Sequence, residues 1–465
     1  MDNRVFLPIG LMLSLLIGCT LAPEYSRPAA PVPAAWPAGA AYGEAQTDAA
    51  TAQLPWRTFF SDGRLRQVIE TALNHNRDLR LAVLNVERAQ ALYGIQRAEL
   101  LPSVNALGGM SKSRVPADLA SSGQATTNER YDVSLGAAAW EIDLFGRIRS
   151  LRDRALEEYL ATDQARRGAQ ILIVSATAQA YLLLAADREA LRTAAATLEA
   201  QEATERLIRR QYDLGIASGL DLKRAQSQVE AARVEVSRWT QAAAQDVNAL
   251  TLLAGSPLPA ALLPADLGGV AEPAEPGAGL SSEILLRRPD VLAAEHRLKA
   301  ANANIGAARA AFFPRISLTA AVGTASADLS GLFKGGSATW SFAPQIVQPL
   351  FDARTWSAYD VTQADREIAV AQYDKALQTA FREVADALAV RGTVERQLAA
   401  QNALVEAVRE TYRLSRVRYD RGLDGYLGVL DAQRSLYSAE QGLTALRLAR
   451  VANRLTLYRV LGGGI

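Results

Sequence analysis

Two spacings of apolar residues divide the chain. In the first, positions recur at alternating steps of three and four: Ile171, Val174, Ala178, Tyr181, Ala185, and again Val405, Val408, Tyr412, Ser415, Tyr419. This is the spacing of a coiled-coil seam. No proline lies between Pro116 and Pro257 or after Pro349, so nothing in these tracts forces a break. A tract of roughly 60 residues, such as Arg149 to Gln211, would span roughly 90 Å as a helix. Each long tract is interrupted once, at Tyr212 to Leu220 and at Tyr419 to Leu427. Both stretches contain glycine (Gly215, Gly219; Gly422, Gly425, Gly428) and read as turns between antiparallel helices. In the second spacing the period is two, which predicts strands. Ile316, Leu318, Ala320 and Val322 alternate with Ser317, Thr319, Ala321 and Gly323. Tyr131, Val133 and Leu135 alternate with Asp132, Ser134 and Gly136, and Trp340 and Phe342 with Ser341 and Ala343. Val104, Ala106 and Gly108 make the weakest case. Polar loops over Ser111 to Arg130 and Ala325 to Ala338 separate the strand pairs. A helix precedes each pair, about Leu65 to Leu100 and Pro289 to Phe312, and is ended by Pro102 or Pro314.

These elements occur twice, about 210 residues apart. Ala89, Ala91, Gly94, Arg97 and Ala98 recur as Ala301, Ala303, Gly306, Arg309 and Ala310. Tyr212-Asp213-Leu214-Gly215 matches Tyr419-Asp420-Arg421-Gly422, and Leu220, Ala225 and Gln226 match Leu427, Ala432 and Gln433. The expected organisation is a signal peptide over 1–18, an extended tether over 19–60, a first repeat over 61–255, a linker over 256–285 and a second repeat over 286–465. The fold class is α+β: two tandem repeats of long coiled-coil hairpins plus strand pairs.

Four strands cannot close a barrel. If their apolar side faces lipid, closure is compulsory, because every backbone polar group must be paired. Several subunits must then pool strands, about eight for a dimer and about twelve for a trimer. A soluble helical-hairpin protein with a small β-subdomain fits the same spacing.

The N-terminus supports a membrane address. Arg4 precedes the apolar run Val5 to Ile17, which is shorter than a membrane span. The run ends in Leu16-Ile17-Gly18-Cys19, the pattern of a bacterial lipobox, which predicts acylation of Cys19. The following residue is Thr20 rather than an aspartate, which fits outer-membrane sorting. Proline at 23, 28, 31, 33 and 37 keeps the next stretch extended. Charge is balanced, 50 Lys+Arg against 49 Asp+Glu, which leaves no basic excess for nucleic acid. With one cysteine and two histidines, no intrachain disulfide can form and a His/Cys metal cluster is nearly excluded. His75 and His296 lie in helical segments near no nucleophile motif and read as ordinary helix-surface residues. No phosphate-loop or nucleophile-elbow signature is present, so neither an enzyme nor a cofactor is expected.

Arg287-Arg288-Pro289-Asp290, the run from Ala300 to Pro314, and Tyr426-Leu427-Gly428-Val429-Leu430-Asp431-Ala432-Gln433-Arg434-Ser435-Leu436 resemble the outer-membrane efflux proteins. The lipoprotein subgroup of OprM/NodT type is nearer and TolC more distant. The resemblance covers essentially the whole mature chain. It implies a homotrimer with a shared twelve-stranded barrel and an α-helical periplasmic tunnel, and an equatorial belt built from residues near Gly255 to Leu285 and the C-terminal end. It also implies docking to a periplasmic adaptor and an inner-membrane pump of the RND class. Leu427 falls where relatives place an apolar constriction, Asp431 at an acidic ring, Arg434 at a basic partner and Asp221 at an acidic tip position. Some relatives carry a second acid where this chain has Gly428. Tyr212 and Tyr419 match tip tyrosines, which can equally be seam residues, and Gly215 and Gly422 are candidates for adaptor contact or simply turn geometry. Three copies of Asp431 in a narrow pore would attract cations or raise one another's pKa, and a leucine ring could seal by dewetting. An ordinary solvated pair between Asp431 and Arg434 is the bland alternative. Two competing functions are ABC-driven protein export and a coiled-coil lipoprotein scaffold without a pore.

Overall fold

The computed structural model describes residues 20–42, 54–277 and 281–464; the expected signal peptide and Cys19 lie outside the described residues. In chain order the elements are α1 (Trp56–Phe59), α2 (Gly63–His75), α3 (Arg77–Ala98), β1 (Val104–Val115), β2 (Thr126–Glu141), α4 (Arg147–Asp213), α5 (Gly219–Ala254), α6 (Pro289–Ala310), β3 (Arg315–Ser326), β4 (Ala338–Val347), α7 (Ala353–Asp420) and α8 (Tyr426–Val460). Helix, two strands, long helix and returning helix thus occur twice. The chain divides into two compact units, one formed by the described residues up to 29 with 85–163 and 293–373, the other by the rest.

Three expectations need correction. The helix read from Leu65 to Leu100 is broken at Asn76, whose side chain caps α3 by accepting from the Leu79 N–H at 3.0 Å. The loops are shorter than read, since β1 runs on to Val115 and β2 starts at Thr126. Within the stretch read as tether, Trp56–Phe59 is a helical turn, and Trp56, Phe59 and Phe60 are buried in the main core.

That core fills the second unit. Its centre is the predicted seam of α4, with Ile171, Val174, Ala178, Tyr181 and Ala185 all buried. Leu65, Val68 and Ile69 of α2, Leu250 of α5, and Leu455 and Tyr458 of α8 pack on it. Phe59 stacks on Tyr458 with ring centroids 4.4 Å apart. Each such side chain removed from water stabilises the fold by about 1.5–3 kcal/mol. Helix α4 is also long and apolar enough to cross a membrane, but 61% of its apolar stretch is buried against these partners, as expected of a core helix.

The first unit holds one antiparallel sheet in the order β1-β2-β3-β4. Directly opposed residues share a face. One face carries the rows Val104–Ala137–Ala320–Phe342 and Ala106–Leu135–Val322–Trp340; the other carries Asn105–Gly136–Ala321–Ser341 and Leu107–Ser134–Gly323–Thr339. The apolar side is the exposed one in β2, where Val133 and Leu135 are exposed and Asp132, Ser134 and Gly136 half-buried. On the other side a Cβ on Gly136 would lie 2.3 Å from the Ala320 carbonyl, and one on Gly323 2.2 Å from that of Val133. Only glycine fits either place. A bulge between Ala137 and Trp140 lets two residues of β2 oppose Thr319, with Ala139 at φ 50°. The extra residue brings Trp140 opposite Leu318, on the apolar face. Beyond the strand ends lies an aromatic cluster in which Phe145 stacks on Phe313 and Phe312 meets Trp356 and Tyr359. Leu350 and Phe351 beside it are almost fully exposed.

Candidate functional site

Both long hairpins turn by the same device. At the end of α4, Gly215 takes φ +74°, its N–H donates to the Tyr212 carbonyl at 2.9 Å, and Ile216 N–H returns to Gln211 at 2.8 Å. At the end of α7, Gly422 takes φ +70°, with the equivalent bonds Gly422 to Tyr419 at 2.8 Å and Leu423 to Arg418 at 2.9 Å. A left-handed glycine closing a helix in this way satisfies carbonyls that the helix leaves open. The next helices are capped differently. Ser218 accepts from the Asp221 N–H at 3.1 Å and donates its hydroxyl to the Asp221 carboxylate at 2.6 Å. Gly425 offers α8 no side-chain cap.

The two tips pack on each other. Ile208 and Ala225 meet Tyr426, Val429 and Leu430, flanked by Leu222, Tyr412 and Tyr419. The Tyr419 hydroxyl donates to Gln211 Oε1 at 3.1 Å. Burial and the nearby Asp221 and Asp420 carboxylates hold the Tyr419 hydroxyl above its ordinary pKa, and burial does the same for Tyr426. Both phenols are therefore neutral at physiological pH. Tyr419 is a seam residue between hairpins, whereas Tyr212 stands half in solvent.

The candidate gate residues Leu427, Asp431 and Arg434 follow at steps of four and three, so they form one stripe of α8. All three are exposed, beside the buried stripe of Tyr426, Leu430 and Gln433. Asp431 makes no ion pair with Arg434, and neither has an ionic partner among the described residues, so the bland intrahelical pair is not formed. Asp221 is not brought to this stripe by any bond; its carboxylate serves the first turn of α5 through Ser218 and, at 3.6 Å, Arg224. Asp431 and Arg434 line a cavity of about 940 Å³ between the hairpins, together with Gln201, Gln433, Glu235 and Tyr437. Beside it Tyr437 is clamped: its hydroxyl donates to Glu235 Oε2 at 3.1 Å and accepts from Trp239 Nε1 at 3.3 Å.

Sequence reasoning missed this clamp and also missed the apolar character of the tips. Leu214, Ile216, Leu220 and Leu423 are all exposed there. Their signal was available, because solvated turns rarely carry so many large apolar residues. His296 also departs from expectation: it is largely buried and its Nδ1 lies 2.6 Å from Glu157 on α4, a cross-helix pair. His75 ends α2 with Nδ1 3.0 Å from the Thr71 carbonyl. Among the described residues no group of three His, Cys, Asp or Glu side chains is placed to hold a metal.

The family described as "Outer membrane efflux protein" matches residues 68–256 and 280–463, one span for each repeat. The "Toluene efflux pump outer membrane protein TtgC" and the "Antibiotic efflux pump outer membrane protein ArpC", both from Pseudomonas putida, are each 48% identical over 465 residues, covering 99% of this chain and 96% of theirs. The open state of the Neisseria gonorrhoeae MtrE outer membrane channel superposes with a TM-score of 0.86 at 38% identity, over 96% of this chain and 98% of that one. These likenesses span both repeats, the sheet and the tips, and they decide for a channel over a scaffold. The chain belongs to the outer membrane efflux protein family: it is the outer-membrane channel of an efflux pump and not an enzyme.

Proposed function

We propose that three copies of this chain form the exit duct of a tripartite pump, passing small organic molecules from the periplasm to the exterior. The observation that carries the trimer is the open four-stranded sheet. Its edges β1 and β4 are unpaired among the described residues and run antiparallel to each other, so β4 of one copy can pair β1 of the next without breaking the alternation. Closure then comes in multiples of four strands, and three copies give about twelve, within the range of outer-membrane barrels. The apolar face would meet lipid and the Gly/Ser-rich face would line the lumen. Residues 61–255 and 286–465 would be the two repeats, with 256–285 and the C-terminal end in an equatorial belt. The lipobox supports a place in the lipoprotein (OprM/NodT-type) subgroup, which would put acyl chains on Cys19, with residues 1–18 as signal peptide and 19–60 as a tether that docks into the core at Trp56–Phe59.

The tips would be the gate. Leu427 would seal by dewetting, Asp431 would form an acidic ring that attracts cations, Arg434 would hold a neighbouring helix, and Asp221 would stand at the acidic tip position in the first turn of α5. The exposed tip leucines and Ile216 around Gly215 and Gly422 would receive the hairpin of a periplasmic adaptor, itself coupled to an inner-membrane RND pump. Tyr212 would stand in the same contact and Tyr419 would hold the seam. The relatives' names pair toluene with antibiotics, which suits an unselective duct whose pump chooses the substrate. No cofactor is needed, because the pump supplies the energy. Single-channel conductance of wild type against Leu427→Ala/Asp431→Ala in planar bilayers tests the gate. Small currents in wild type and large stable ones in the variant are expected. Equal large currents in both would keep the duct and sink the gate.

A further inference from the structure

The extended N-terminal segment is seated rather than merely tethered. In the first unit it lies along α6. The Glu295 carboxylate, with a side chain only 4% exposed, accepts from Arg27 through two bonds (3.1 and 2.9 Å) and from the Tyr25 hydroxyl at 3.1 Å. Lys299 reaches the same carboxylate at 3.4 Å and sits 5.2 Å from the centroid of the Tyr25 ring. Asn302 donates to the Pro23 carbonyl at 2.7 Å and Arg309 to that of Leu21 at 3.2 Å. Gly306 leaves room for the segment, since a Cβ there would lie 2.7 Å from the Ala22 nitrogen.

The first repeat serves as an internal control. The alignment that pairs Gly94 with Gly306 pairs Val83 with Glu295, Glu87 with Lys299, Gln90 with Asn302 and Arg97 with Arg309. Gly94 has nothing within 4 Å of its absent Cβ. The helix, the glycine and the arginine are therefore common to both repeats, yet among the described residues only α6 carries the strap. What differs is the chemistry at 295, 299 and 302. A valine in place of Glu295 offers Arg27 and Tyr25 no acceptor, and a glutamate in place of Lys299 leaves the Tyr25 ring without its cation. A charge-assisted, bidentate arginine bond is the strongest contact in the set.

We infer that Glu295 is the specificity-determining residue that assigns the N-terminal strap to the second repeat, and that the seated strap brings Leu21 to the base of β3. Arg309, which donates to the Leu21 carbonyl, lies six positions before Arg315, the first residue of β3. One residue, Thr20, separates Leu21 from Cys19, so two residue steps reach at most roughly 7 Å. The acyl chains would then enter the bilayer next to the aromatic cluster of Phe312 and Trp356. This last step rests on the lipid-anchor reading of Cys19; the seat itself does not.

The test is chymotrypsin cleavage after Tyr25 in outer-membrane vesicles carrying the full channel, with the acyl state of the N-terminal fragment read by mass spectrometry. Cleavage tracks the population of the released strap. Glu295→Val, which installs the first-repeat residue, should raise the cleavage rate about tenfold, and Glu295→Gln, which keeps one acceptor, by less. Arg27→Ala alters the strap alone and should also raise it about tenfold while leaving the heat stability of the oligomer at the wild-type value. That variant guards against a misfolded α6. Equal cleavage in wild type, Glu295→Val and Arg27→Ala would overturn the inference. An unacylated fragment would overturn the lipid reading and the placement at the membrane, while the cleavage rates still decide the seat.

Discussion

Asn76 shows how much a single buried polar residue does in this fold. It is 5% exposed and ends α2 while starting α3. Its Oδ1 accepts from Leu79 N–H and its Nδ2 donates to the Leu253 carbonyl at 2.9 Å, near the end of α5. Two backbone groups on different helices, one buried and one partly buried, therefore depend on one amide. Asn76→Ala would leave both unpaired and should cost about 2 kcal/mol, read as a lower heat-dissociation temperature of the oligomer. Asn76→Asp keeps the cap, loses the donor and should fall between. Gly255 abuts the same point: it takes φ +69°, and a Cβ would lie 2.3 Å from the His75 carbonyl. Gly255→Ala should therefore damage the fold more than Asn76→Ala, seen as lost oligomer yield. Gly255 was legible as a boundary because glycine follows the last seam residue. The break at Asn76 was not, because His75-Asn76-Arg77 holds neither proline nor glycine and the apolar period continues across it.

At the scale of elements, polar contacts between the hairpin helices are separable by experiment. Tyr437 on α8 is gripped by Glu235 and Trp239 of α5, two residues one turn apart, next to the stripe that bears Leu427, Asp431 and Arg434. Tyr437→Phe removes one hydroxyl and keeps the ring. A hydrogen bond worth about 1 kcal/mol shifts a closed–open balance about fivefold, so longer open times in single-channel records are expected. Unchanged gating, with Leu427→Ala/Asp431→Ala opening normally, would reject the clamp. Within the first hairpin, Asp187 of α4 faces Asp246 of α5, with Arg238 the nearby cation. Burial and then the Asp187 charge push Asp246 up to about 6, from 3.8. Burial also raises Asp187. A carboxyl held above its unfolded value binds more protons folded than unfolded in that window, so it stabilises the fold less as pH rises from about 4 to about 6. Asp246→Asn should raise the dissociation temperature near pH 7.5 and barely change it near pH 4, where wild type is already protonated. The hairpins themselves were legible, because a seam at steps of three and four and a glycine turn are local signals. The loops were overextended because Ser111 to Val115 and Thr126 to Arg130 are polar in sequence yet paired in the ladder. The bulge at Ala139 was invisible, because its cause is the Trp140–Leu318 register and not any residue type in Ala137-Ala138-Ala139.

For the whole molecule the decisive property is the difference between the two faces of one sheet. The period-two pattern in β2, β3 and β4 made the strands legible, but Ala-rich strands could not say which side meets lipid. The registers separate an apolar side from a Gly/Ser/Thr-containing one, by lining up Ala106, Leu135, Val322 and Trp340 in one row and Leu107, Ser134, Gly323 and Thr339 in the next. Leu135 and Ser134 are neighbours in sequence with opposite duties, which gives the sharpest test of the barrel. Leu135→Arg would place a guanidinium in lipid in every copy. The cost is about 2–4 kcal/mol per site near the midplane. With three copies it should abolish insertion, leaving the protein absent from outer-membrane fractions. Ser134→Arg would point into the lumen, where water solvates the charge. It should insert at the wild-type level and instead reduce cation conductance, because three positive charges ring a narrow passage. Equal insertion of both variants would mean that this sheet does not face lipid. The opposite pattern, loss with Ser134→Arg and tolerance of Leu135→Arg, would reverse the faces while keeping the barrel.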